Sequence, residues 1–191
     1  MAILPIMTFG SWVLEMPARP ITDIGERIAT LVDNMFETMY AAPGVGLAAP
    51  QVGVAEQVFV WSYSDEEGDH KGVAINPALK ALPLFGFEKQ WVTDDEGCLS
   101  IPGLRYPMRR FRRVRLTATN LDGEEYTITA TDWLARIFQH EYDHLQGTLY
   151  VDRLRGDTRE RAAREIAEHV TPDSQWLPGE DLHEDDFTPA D

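Results

Sequence analysis

The chain has 191 residues, enough for one domain with a sizeable core. Its formal net charge of −15 argues against general affinity for DNA, and no apolar run approaches the roughly 20 residues that a membrane span needs. No basic region precedes a long apolar core at the N-terminus, so a cytoplasmic protein without a secretory signal is expected, and a single cysteine excludes an internal disulfide.

In chain order, Asp23-Ile24-Gly25-Glu26 offers a capping box for a first helix. Ile24, Ile28, Leu31, Val32, Met35, Phe36 and Met39 then recur at helical spacing, and Pro43-Gly44 ends the helix. The segment Pro43–Gly53 is dense in small residues and reads as a helix stop followed by a tight turn into a strand. It lacks the Gly-Lys-Ser/Thr of a phosphate loop, but Gln51 offers an amide donor of the kind that stabilises an oxyanion. Gln57–Trp61 and Val73–Ile75 read as short strands.

Alternation at Val114, Leu116 and Ala118, and again at Tyr126, Ile128 and Ala130, brackets Leu121-Asp122-Gly123-Glu124 as a hairpin. A helix capped by Thr131 or Asp132 then carries Trp133, Leu134, Ile137, Phe138 and Leu145 and stops at Gly147. A last helix spans about Thr158 to His169. Residues 171–191 hold seven acids, three prolines and no lysine or arginine. They read as a flexible, loosely attached tail behind a catalytic domain of residues 1–170.

The chemistry concentrates in His140-Glu141-Tyr142-Asp143-His144. Histidines four apart share one helix face, so both can reach one metal ion, with Glu141 beside them as a candidate general base. The alternative is a helix with two hydrogen-bonded core histidines. Three protein ligands and one water make an open catalytic site. Cys98, which follows a glycine, supplies a third ligand; alone it would read as a small buried hydrophobe. Thiolate and imidazoles suit zinc, iron or a neighbouring divalent metal. Arg105, Arg109, Arg110, Arg112, Arg113 and Arg115 fall within eleven residues. They form either a solvated basic face of a strand and turn, or a docking patch for an anionic surface such as ribosomal RNA.

Gly44-Val45-Gly46-Leu47-Ala48-Ala49-Pro50-Gln51, Glu96-Gly97-Cys98-Leu99-Ser100 and Gln139-His140-Glu141-Tyr142-Asp143-His144 resemble, in order, the three signature motifs of the peptide deformylases. The resemblance extends from about Ile3 to Leu154, and Ile3-Leu4-Pro5-Ile6 is similar to the family's N-terminal start. It implies an α+β fold: antiparallel sheets packed around a central metal-bearing helix, with a first N-terminal helix and a C-terminal helix. It implies a hydrolase of protein biosynthesis that removes the formyl group from the N-terminal formylmethionine of nascent polypeptides. Cys98, His140 and His144 would bind the metal. Fe(II) is the expected physiological ion, and zinc or nickel would suit the same ligands in purified protein.

The metal would lower the pKa of a water in the open position, Glu141 would move its proton, and Gln51 with the backbone N–H of Leu99 would hold the oxyanion. Val45, Gly46, Trp133 and Ile137 would surround the methionine, although Trp133 also reads as ordinary core. Gly103, like Gly46, would let a peptide backbone lie close, and Asp143 and Ser100 are candidates to support the ligands. The acidic C-terminus departs from the basic one that often aids ribosome docking in such families. A peptidase of the His-Glu-x-x-His kind, a closed structural metal site and an inactive binding protein remain as other readings of the same residues.

Overall fold

The computed structural model describes residues 2–65, 68–83 and 90–179. A short strand β1 (Ile6–Met7) and a four-residue helix α1 (Trp12–Glu15) precede the amphipathic helix α2 (Glu26–Ala41). The Asp23 capping box does not form: Gly25 is the N-cap, with extended backbone and no side-chain cap bond. The chain just before is held elsewhere, because Ile21 N–H donates to Asn76 Oδ1 and Asn76 Nδ2 donates back to the Ile21 carbonyl.

Strand β2 (Gly46–Ala48), a 3-10 turn (Ala49–Val52) and strands β3 (Val58–Asp65) and β4 (Gly68–Ala81) follow. Then come β5 (Trp91–Cys98), β6 (Ile101–Phe111), β7 (Arg113–Thr119) and β8 (Glu125–Thr131). Helix α3 (Asp132–Leu145), a 3-10 turn (Tyr150–Arg153), helix α4 (Gly156–His169) and strand β9 (Gln175–Trp176) close the order. The strands form an antiparallel sheet β2-β3-β4-β7-β8, a β5–β6 ribbon and a β1–β9 pair.

Two-residue periodicity places α3 at the centre. On β3, Val58 and Val60 face one side and join Ile28, Val32, Met35 and Met39 of α2. Phe59 and Trp61 face the other and meet Phe138 of α3, with ring centroids 6.1 and 5.4 Å apart. Tyr106 and Met108 of β6 pack with Tyr150 and with Ala162 and Ile166 of α4. The expected α+β arrangement is therefore present, with α1 as an additional element. The first strands run longer than their apolar runs: Ser62–Asp65 pairs with Gly68–Lys71 through backbone bonds, which polar side chains do not advertise. At Asn76 (φ +48°) and Pro77, β4 shifts register within its pairing with β7, between Ile75↔Thr119 and Ala78↔Thr117.

One boundary differs. Residues 171–179 are not a loose tail: β9 pairs with β1, the Thr8 hydroxyl donates to the Thr171 carbonyl at 2.8 Å, and Ser174 N–H donates to Thr8 Oγ1 at 3.0 Å. The acidic count hid Trp176, which packs on the α2 cluster. The rest of the expected tail, 180–191, lies outside the described residues. No helix among the described residues is long and apolar enough to cross a membrane.

Candidate metal centre

Helix α3 sets the geometry. His140 and His144, one turn apart, bring their Nε2 atoms to 3.3 Å from each other. The β5–β6 turn carries Cys98 up to them, with Sγ 3.3 Å from His144 Nε2. The three donor atoms lie within 4.8 Å of one another, and no other group of three metal-ligating side chains occurs among the described residues. Glu96 orients the first imidazole: its carboxylate lies 2.7 Å from His140 Nδ1. An ionised carboxylate only accepts, so Nδ1 donates and the Nε2 lone pair faces the cluster.

Glu96 is itself buried, and burial alone would raise its pKa. The hydrogen bonds from His140 and Arg110, and their charges, win and hold it well below the carboxylate range. Arg110 and Arg136 both pair with Glu96, and Arg110 Nη1 continues to Asp143 Oδ2 at 2.6 Å. Arg153 Nε reaches the same Asp143 oxygen at 2.6 Å. Of the two expected supporting residues, Asp143 thus pairs with arginines and not with a histidine, because it points one residue around the helix from His144. Ser100 does contact the cluster, its N–H donating to Cys98 Sγ at 3.4 Å.

Glu96 had no assignment in the sequence beyond its motif, and Arg110 lay in the presumed basic face. The signal for Arg110 was the alternation on β6, where Tyr106, Met108 and Arg110 are buried while Arg105 and Arg109 are exposed. As a docking-patch residue Arg110 is therefore excluded, and Arg112 is engaged with Asp132 at 2.8 Å.

Glu141 lies beside the donors, 4% exposed, and burial pushes its carboxyl up to about 7. Its Oε2 and the Nδ1 of His144 are buried without a hydrogen-bond partner among the described residues. Gly46 makes room for it: a β-carbon at residue 46 would sit 2.7 Å from Glu141 Cδ. This glycine therefore serves the buried glutamate at least as directly as any bound peptide. Gln51 Oε1 accepts the Ala48 N–H at 2.8 Å, which turns Nε2 toward Cys98 Sγ (3.7 Å) and Ser100 Oγ (3.5 Å). Both contacts are long, so the amide retains donor capacity.

A cavity of about 660 Å³ opens onto the cluster. Gln51, Cys98, Leu99, His140 and Glu141 line its base, and Val45, Gly46, Gly103, Trp133 and Ile137 its walls. Ile137 is buried, whereas Val45 and Trp133 stand 37% and 44% exposed at the rim; Trp133 is not core. Thiolate and imidazoles form a donor set for a borderline-soft divalent ion, and the unpartnered carboxylate oxygen beside them suits a polar molecule held at that ion. The residues present fit a metal.

A buried carboxylate with an unpartnered oxygen next to a Cys-His-His set, at the foot of an apolar cleft, is the hallmark of a metal-dependent hydrolase. The model of the polypeptide deformylase family matches residues 3–160. A peptide deformylase of Tropheryma whipplei (strain TW08/27) is 46% identical over 188 residues, covering 93% of this chain and 91% of the relative. The crystal structure of peptide deformylase from Ehrlichia chaffeensis in complex with actinonin superposes with a TM-score of 0.77 at 34% identity, covering 90% of this chain and all of that one. The Met-Ala-Ser bound crystal structure of class I type b peptide deformylase from Acinetobacter baumannii gives 0.71 at 31% identity, covering 80% and 98%. The chain belongs to the polypeptide deformylase family, metal-dependent hydrolases that remove the N-formyl group from the N-terminal formylmethionine of nascent polypeptides.

Proposed function

We propose that Cys98, His140 and His144 hold one divalent ion, Fe(II) in the cell, and that Glu141 is the general base and then the general acid of deformylation. The observation that carries this reading is the convergence of three donor atoms within 4.8 Å beside a buried, unpartnered Glu141 oxygen. When bound, the ion supplies Lewis acidity and brings the pKa of a coordinated water toward neutrality. Glu141 takes a proton from the attacking water and passes it to the departing amine. Its Oε2 has no other hydrogen-bond partner among the described residues, so it is available to accept that proton.

Gln51 Nε2 and the Leu99 N–H face the developing oxyanion, each donor contributing about 2.7–4 kcal/mol in comparable sites. The methionine side chain lies among Val45, Trp133 and Ile137, and the peptide backbone passes Gly46 and Gly103. That a solved relative binds Met-Ala-Ser supports a short peptide beginning with methionine as the occupant of this cleft. A cytoplasmic location accords with a substrate on nascent chains. A transient ribosome contact would use the exposed arginines of β6 and β7, namely Arg105, Arg109 and Arg115.

The test is an anaerobic assay on formyl-Met-Ala-Ser with Glu141→Ala beside the unaltered protein, with elemental analysis of both. A fall in kcat of about 10²–10⁴-fold with metal retained is expected. Undiminished turnover would remove Glu141 from the role.

A further inference from the structure

The β5–β6 turn is gripped from behind by a segment that lies beyond the residues matched by the family model. Trp176 on β9 donates its indole N–H to the Leu99 carbonyl at 2.9 Å. That carbonyl belongs to the Leu99–Ser100 peptide, whose N–H donates to Cys98 Sγ at 3.4 Å. A trans peptide is planar with its C=O and N–H opposed, so fixing the oxygen aims the hydrogen. The following peptide is fixed as well, because the Ser100 carbonyl accepts the Phe9 N–H at 2.9 Å. Phe9 and β9 are in turn locked together: Asp173 N–H donates to the Phe9 carbonyl, and Thr8 N–H to that of Ser174, both at 2.9 Å. Strand β1, which precedes this segment, pairs with β9.

We infer that Trp176 is a positioning residue for the turn at the metal centre: through the Leu99–Ser100 peptide it aims the Ser100 N–H at the Cys98 sulfur. An N–H bond to a ligating sulfur withdraws charge from it, and bonds in series through one peptide polarise each other. The C-terminal strand thereby acts on the metal centre without touching substrate. The inference rests on the proposed role of Cys98 as a ligand.

The experiment compares the full chain with Trp176→Phe and with Trp176 replaced by 3-benzothienylalanine, which keeps the bicyclic shape and lacks the N–H. Three readouts are taken: hydrogen exchange of the Ser100 amide, the thiolate-to-metal charge-transfer band of the Co(II)-loaded protein, and steady-state kinetics on formyl-Met-Ala-Ser. Faster Ser100 exchange is expected with core amides such as that of Phe59 unchanged. A displaced band is expected too, with kcat lower by about three- to ten-fold at nearly constant KM, the scale of one hydrogen bond. Unchanged exchange and an unchanged band in the benzothienyl variant would overturn the inference. Absence of the band in the unaltered protein would refute the Cys98 assignment instead, and with it the effect on the metal; Ser100 exchange would still decide whether Trp176 fixes the turn.

Discussion

At the scale of single residues, the site depends on what is missing as much as on what is present. Gly46 has no β-carbon because Glu141 fills that space. Gly46→Ala should push the carboxylate aside and lower kcat by about 10–10²-fold, the effect of displacing a reacting group by an ångström. Destabilisation of about 1–3 kcal/mol should accompany it. Turnover of formyl-Met-Ala-Ser read against a urea melt checks both, and unaltered kcat would contradict the steric account. Glu96 is the opposite case, a charge in the interior that several groups require at once. Glu96→Gln would leave Arg110 and Arg136 facing a neutral amide and His140 without its carboxylate. A loss of about 3–5 kcal/mol in stability and a 10–100-fold weaker metal affinity are expected. Denaturant unfolding and competition with a chelator measure the two quantities separately.

At the scale of elements, α3 is positioned by its two ends. Its N-terminus begins at Asp132 (φ +49°), whose N–H donates to the Arg112 carbonyl at 2.8 Å. Its C-terminus ends against the segment after α1, where Ala18 N–H donates to the Leu145 carbonyl at 3.0 Å. Gly147 takes φ +67° there, and a β-carbon on it would lie 2.7 Å from the Met16 carbonyl carbon. Gly147→Ala therefore meets both left-handed strain and backbone, and should cost about 2–4 kcal/mol. Because α3 carries both histidines, metal affinity should fall together with Tm. A Tm change without an affinity change would show the helix end to be uncoupled from the site.

At the scale of the whole molecule, a net charge of −15 coexists with exposed arginines on β6 and β7. Such an acidic protein is repelled from polyanions unless its basic residues meet them locally. Arg105, Arg109 and Arg115 changed together to serine should reduce ribosome co-sedimentation, and the residual binding should depend less steeply on salt. Arg110 does not belong in that set, because its removal would collapse the buried network. Binding unaltered by the triple change would assign these arginines to solvation alone.

Local pattern carried much of this protein. The four-residue interval of His140 and His144 puts them on a shared helix face, and the period of α2 and α3 locates their buried stripes, so the histidine-bearing helix and its grouping with Cys98 were readable from residues. Pairing decided the rest. Whether Arg110 met water or Glu96, and whether Asp143 met a histidine or an arginine, depended on which strand lay across from α3. The docking of residues 171–179 against β1 was equally hidden, since Thr8 and Ser174 are 166 positions apart and short polar strands carry no periodic signal. Helical contacts repeat within a turn and leave an imprint on sequence; hydrogen bonds and ion pairs between distant segments exist only after the chain has folded.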